Sequence, residues 1–257
     1  MHEKKSLEYY KDLVVVLTQK ELKVRYKRSF LGYLWSIANP LALALVFFVA
    51  FKIFMRISIE NYTLFLITGL FPWQWFLNSV SSSAMVFVGN ATLIKKMHFR
   101  HEVLIVATIL NDMLHFILSI PVIILFLFIY GFKPSMEWFI GIPVLLVIQF
   151  MMTFGFSLAI SAINLFFRDI ERIVYIFTSL MFYMIPIIYS VDMIPPEYQT
   201  LVMSNPLSIL MISWRNLFMH GTLAFKDAAI AFFYSGAVLA VGYLIYRRLK
   251  WRFAEVL

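Results

Sequence analysis

Residues 103–130, VLIVATILNDMLHFILSIPVIILFLFIY, decide the fold. Asp112 and His115 are the only acidic or basic side chains in the run. It exceeds the ~20 helical residues needed to cross a hydrocarbon core about 30 Å thick. Lipid offers no partner for backbone polar groups, so such a run must satisfy its own, as a helix does. Outward from it, five more stretches read the same way: Gly32–Ile57, Tyr62–Val88, Trp138–Leu165, Ile173–Val191 and Ala228–Tyr246. The expected fold is an all-α membrane protein with six transmembrane helices. Turn and charge signals separate the stretches, as in Gly131-Phe132-Lys133-Pro134 and Arg168-Asp169-Ile170-Glu171-Arg172.

Composition agrees. Hydrophobic residues are 62% of the 257 and charged residues 14%, where soluble proteins carry roughly 25% charged residues. The net charge of +8 does not mark a nucleic-acid binder, because its distribution follows the spans. Lys and Arg gather in the N-terminal segment, after the second span (Lys95, Lys96, Arg100), after the fourth (Arg168, Arg172) and at the C-terminus (Arg247, Arg248, Lys250, Arg252). The opposite side holds Lys52, Arg56, Lys133, Arg215 and Lys226. Positive residues stay inside, so both termini are expected in the cytoplasm. The absence of cysteine excludes thiolate metal sites, thiol catalysis and disulfides. The basic N-terminus, with no small-residue cleavage site, does not read as a cleavable signal peptide.

Two segments are neither spans nor simple loops. Ser6–Arg28 reads as a helix lying in the interface, with Leu7, Tyr10, Val14, Leu17 and Val24 on one face and Glu8, Asp12, Gln19, Lys23 and Lys27 opposite. A soluble amphipathic helix packed on a partner has the same pattern. Residues 195–226 contain an apolar run that Asn205-Pro206, Ser208, Ser213 and Arg215 interrupt, and a seventh span there would export the basic C-terminus. The expectation is a re-entrant pair on the outer side, about Glu197–Ser204 and Leu207–His220, set off by Pro195, Pro196, Asn205 and Pro206. Trp214 and Arg215 lie on its second member.

No G-x-x-x-x-G-K-S/T loop, H-E-x-x-H helix or G-x-S-x-G elbow occurs, so no catalytic residue, metal site or nucleotide site is expected in this chain. Asp112 and His115 share one helix face and serve either a proton relay or helix packing. Asn39, Gln74, Asn78, Gln149 and Asn164 line a path for an uncharged polar substrate or join helices by hydrogen bonds. Phe71-Pro72-Trp73-Gln74-Trp75-Phe76 places aromatics at depth, where they offer flat faces to the C–H faces of sugars; for most of the 27 Phe residues, lipid-facing filler is the simpler reading.

Four motifs in order carry a family resemblance. Glu21–Trp35 (ELKVRYKRSFLGYLW), closing on Asn39-Pro40, resembles the N-terminal signature of the permeases of type-2 ABC exporters of polysaccharide. Leu93–Phe99 (LIKKMHF), followed by Glu102-Val103-Leu104, is similar to that family's loop after span two. Arg168-Asp169-Ile170 and Ile185–Ser190 (IPIIYS), then Pro195 and Asn205-Pro206, match its later half. The resemblance spans nearly the whole chain and is closest to O-antigen permeases, with teichoic acid or capsule exporters as the alternative substrate classes.

The resemblance implies an inner-membrane homodimer bound to two ATPase subunits, which hold ATP and Mg, moving a lipid-linked glycan amid membrane lipid. Residues 1–31 would then be the interface segment and 32–257 the six-span domain. Asn90–Arg100 would be the coupling helix, bearing Leu93, Ile94, Lys95, Lys96, Met97, Phe99 and Arg100. The glycan path, with Phe71, Trp73, Gln74, Trp75, Phe76 and Asn78, would run between two permeases along spans one, two and five. Residues 195–222 would form an outer gate. Arg25, Lys27 and Arg28 would meet the pyrophosphate of the lipid-linked glycan by charge-assisted hydrogen bonds; anionic lipid binding is the competing reading of these three. Two other classes stand beside the exporter: a membrane glycosyltransferase, for which only isolated acids such as Asp169 and Glu171 are at hand, and an ion-coupled carrier or channel resting on Asp112 and His115.

Overall fold

The structure is a computed structural model that describes residues 7–26, 29–30, 32–97 and 99–256. Most of these residues are helical, with no strand among them. The helix α1 spans Leu7–Tyr26, and α2 (Trp35–Phe47) continues as a π-helix over Phe48–Phe54. Then follow α3 (Tyr62–Ala84), the short α4 (Val86–Gly89) and α5 (Ala91–Lys96), α6 (Glu102–Ile129) and α7 (Trp138–Phe166). The remainder is α8 (Ile170–Met184), α9 (Pro196–Met203), α10 (Pro206–His220), α11 (Phe225–Leu249) and α12 (Phe253–Val256).

Among the described residues, four helical runs are long and apolar enough to cross a membrane: Ile37–Phe54, Glu102–Ile129, Trp138–Phe166 and Phe225–Arg252. The helix α3 has 23 residues, ample in length, but Gln74, Asn78 and Ser81–Ser83 dilute its apolar character. The fifth expected span departs from expectation. Instead of running through Ile173–Val191, α8 stops after 15 residues at Met184, about 22 Å at 1.5 Å per residue. The cause is Pro186, which disfavours helical geometry in the residue before it; Ile185 is extended, with φ −93° and ψ 139°.

The core gathers on α3, whose helix is buried along most of its length between α6, α7, α8 and α10. It runs parallel to α7, as three cross-links in register show. Gln149 Nε2 donates to the Pro72 carbonyl (2.7 Å), Ser161 Oγ to that of Ser83 (2.6 Å) and Asn164 Nδ2 to that of Ala84 (2.7 Å). The most extensive helix pair is α7 with α11. There Ala228, Ala231, Ser235 and Gly242 form a buried small-residue stripe on α11, and Gly242 rests on the Gly155 backbone. Membrane helices lack a hydrophobic drive to associate, so close backbone approach through small residues supplies the contact.

The helix α1 packs on α6 through its middle, with Leu17 and Thr18 buried and Tyr10, Leu13 and Val14 against the core. Val24, expected on the apolar face, is exposed. Lys20 Nζ, 3.2 Å from both Glu21 Oε1 and Asn90 Oδ1, ties α1 to the joint before α5.

Candidate functional site

A cavity of about 360 Å³ lies among α2, α3 and α6. From α3 it takes Phe71, Gln74, Trp75, Asn78 and Ser82; from α6, Asp112, His115, Phe116 and Ser119; from α2, Trp35, Asn39 and Pro40. These positions recur at three- and four-residue spacing, so each helix turns one stripe inward. Ser79 Oγ donates to Asp112 Oδ2 at 3.0 Å, and the Trp75 ring stacks on Phe116 with centroids 5.6 Å apart. A second cavity of about 200 Å³ shares Ser82 and leads past Asn111, Thr108 and Asn90 to Glu21 on α1. The two cavities adjoin at Ser82, and the aromatic walls belong to the first. Amides, hydroxyls and a carboxylate beside indole and phenyl faces suit a ligand with many hydroxyl groups.

The aromatic cluster expected along a glycan path divides. Phe71, Gln74, Trp75 and Asn78 line the cavity. Trp73 leans instead on Phe182 of α8 at 6.0 Å, and Phe76 meets Phe156 of α7 edge-on at 5.7 Å. The five uncharged polar residues divide too. Asn39, Gln74 and Asn78 face the cavity, whereas Gln149 and Asn164 are joints between helices. Gln149 also accepts from Trp214 Nε1 at 2.6 Å, and Asn164 Oδ1 accepts from the Glu171 amide at 3.1 Å.

The helices α9 and α10 fall where the prolines placed them. Pro195 and Pro196 open α9. Asn205 caps α10 by accepting from the Leu207 amide at 3.0 Å, with Pro206 in the first turn. Gly221 ends α10 in the left-handed region at φ +65°, beside Ser135. Trp214 is fully buried and Arg215 is 6% exposed. The Arg215 guanidinium donates to the carbonyls of Pro186 (2.7 Å) and Ile187 (2.9 Å) and lies 3.7 Å over the Phe65 ring. Its Nη2 occupies the space that a Cβ at residue 69 would need, which is why Gly69 stands there. Arg215 thus fastens the extended segment after α8 to α3 and α10. Tyr62, whose hydroxyl donates to the Ile188 carbonyl at 2.8 Å, is the second fastener.

The segment expected to be one helix over Asn90–Arg100 is shorter. The helix α5 ends at Lys96, and Met97 is extended at φ −127°, ψ 133°. Ile94 is buried and Leu93 packs on the core, so the protein's own interior takes that part of the apolar face. Lys95, Lys96, Met97 and Arg100 are exposed, and Phe99 is half-buried against His101. Of the residues expected at a pyrophosphate, Lys27, Arg28 and the Arg25 side chain lie outside the described residues.

Sequence reasoning missed Ser79, which holds Asp112, and the seam of Gly155 and Gly242. The seam had a legible signal in the small residues at 228, 231, 235 and 242. Ser79 had none, since only the fold sets it opposite Asp112.

A family model described as ABC-2 type transporter matches residues 12–219. The chain is 49% identical to the O-antigen export system permease protein RfbA of Klebsiella pneumoniae, over 99% of this chain and 98% of that one. It is 33% identical to the protein of the same name from Myxococcus xanthus over 88% of each. It is 21% identical to the polysialic acid transport protein KpsM of Escherichia coli over 85% of this chain and 86% of that one.

Proposed function

The chain belongs to the ABC-2 type transporter family, and from that premise we propose that it is the membrane-spanning subunit of an ATP-driven exporter. Its cargo is lipid-linked polysaccharide of the O-antigen class, moved across the inner membrane. The observation that carries this reading is the 49% identity to an O-antigen export permease over 99% of the chain. The polysialic acid transport relative at 21% identity and a capsule polysaccharide export relative at 25% are more distant, which favours O-antigen over capsule. The chain carries no phosphate loop, so ATP and Mg belong to a separate ATPase subunit, and two permeases with two ATPases make the working unit.

Six crossings are part of the proposal. Because α3 and α7 run parallel, Ile188, bonded to Tyr62 at the start of α3, lies level with the start of α7. The helix α8 with residues 185–188 therefore covers the thickness that α7 covers in the other direction. Likewise α10 ends level with the start of α7, since Trp138 Nε1 donates to the Leu217 carbonyl at 2.8 Å and Glu137 Oε2 accepts from the Leu223 amide at 2.9 Å. This supports a re-entrant α9–α10 pair acting as outer gate, with both chain termini on the cytoplasmic side. The α5 region, with Met97 and Phe99 beyond it, is the ATPase contact. The Asp112 cavity, walled by Phe71, Gln74, Trp75 and Asn78, is the part of the glycan path that each permease contributes.

Co-expression with the ATPase of the same export system tests the assembly. A purified complex with the mass of two copies of each subunit is expected. A stable single chain that exports glycan without any ATPase would overturn the proposal.

A further inference from the structure

A groove of about 460 Å³ lies away from the Asp112 cavity, between the segment ahead of α6 and the end of α11. Its cationic groups are Arg100 and Lys250, and its aromatic ones include Tyr243, Tyr246 and Trp251. The Arg252 guanidinium lies 4.5 Å over the Trp251 ring, adding a third cation beside the groove. One acid, Glu102, also lines it. Glu102 is 8% exposed, and its carboxylate sits 4.0 Å from Arg100 Nη2 and interacts with the Tyr246 hydroxyl, so it is turned into the protein. His101 is held below the usual histidine range, chiefly by burial, with Glu102 opposing and Lys250 reinforcing the shift. The positive charge near neutral pH therefore comes from Arg100, Lys250 and Arg252.

We propose that this groove binds the phosphate headgroup of an anionic phospholipid. Its level in the protein decides for a lipid over a free phosphate. Arg100 immediately precedes the span beginning at Glu102, and Lys250 and Trp251 close the span ending at Arg252. Both ends lie where headgroups lie, and an exposed Trp belongs at that depth. Below the groove, Val241 and Leu244 leave an exposed apolar strip on α11 along which an acyl chain can lie. Cationic groups close to such a surface each strengthen attraction to anionic lipid. The groove shares Phe99 and Arg100 with the segment assigned above to the ATPase contact, but lipid binding rests on the groove's own geometry and needs no ATPase to be measured.

The test uses the full-length chain reconstituted in phosphatidylcholine vesicles containing a minor fraction of brominated phosphatidylglycerol, with Trp251→Phe subtracted to isolate Trp251 fluorescence. Preferential quenching of Trp251 by brominated phosphatidylglycerol over brominated phosphatidylcholine at equal mole fraction is the expected result. Lys250→Gln should weaken the preference about fivefold, the factor for one basic group at an anionic surface. Arg247→Gln, which removes the same charge from the same span outside the groove, should leave it largely intact. Equal losses in the two variants would show a diffuse surface field and overturn the site. Relief of quenching by millimolar inorganic phosphate at constant ionic strength would assign the groove to free phosphate and overturn the lipid.

Discussion

Gly242→Ala is expected to destabilise the folded protein strongly in detergent. A Cβ at residue 242 would fall on the Gly155 carbonyl oxygen, and one at residue 155 would meet the backbone N and Cα of Leu239 at 2.7 Å. Backbone atoms have no rotamer to escape into, so α7 and α11 must separate along their whole seam. Overpacking a well-packed core costs typically 1–3 kcal/mol, and a clash with backbone belongs at or above about 3 kcal/mol. That is a large share of a net stability of roughly 5–15 kcal/mol. Gly236→Ala on the same helix is the control, because its Cβ would meet only the Met151 methyl at 4.0 Å. Size-exclusion profiles after heating should show early aggregation of Gly242→Ala and wild-type behaviour of Gly236→Ala.

The second large effect is expected at Gln149→Leu. The side chain is fully buried and bridges three elements, donating to the Pro72 carbonyl of α3 and accepting from Trp214 Nε1 of α10. Leucine fills similar space but leaves the Trp214 indole N–H without this partner and removes the added bond to the Pro72 carbonyl. Interhelical hydrogen bonds in membranes contribute about 0.6 kcal/mol on average and up to about 1.7, so loss of both should lower stability by about 1–3 kcal/mol. The midpoint of thermal unfolding should fall. Gln74→Leu, which changes a cavity wall, should leave that midpoint near wild type while altering export.

These two residues mark where a sequence stops being legible. Lipid forces long apolar helices, so α2, α6, α7 and α11 could be read from composition alone, and prolines with Asn205 located α9 and α10 nearly to the residue. The end of α8 was masked because Ile185–Tyr189 stays apolar across Pro186, and hydropathy does not register a change of backbone direction. Gln149 and Gln74 look alike in the chain; one joins helices and the other walls a cavity, and only the packing of α3 against α7 separates them. The segment expected to couple to an ATPase, Asn90–Arg100, holds a shorter helix than its charge pattern suggested, since Ile94 turns into the protein's own core.

Reconstitution tests the central claim most directly. The chain and its ATPase, in proteoliposomes loaded with lipid-linked O-antigen glycan on the ATPase side, should move the glycan to the opposite leaflet only when ATP and Mg are supplied. An ATPase unable to hydrolyse ATP should abolish the movement. Translocation that proceeds without the ATPase, or that follows an imposed proton gradient instead of ATP, would contradict the account and return Asp112 and His115 to the role of an ion-coupled carrier.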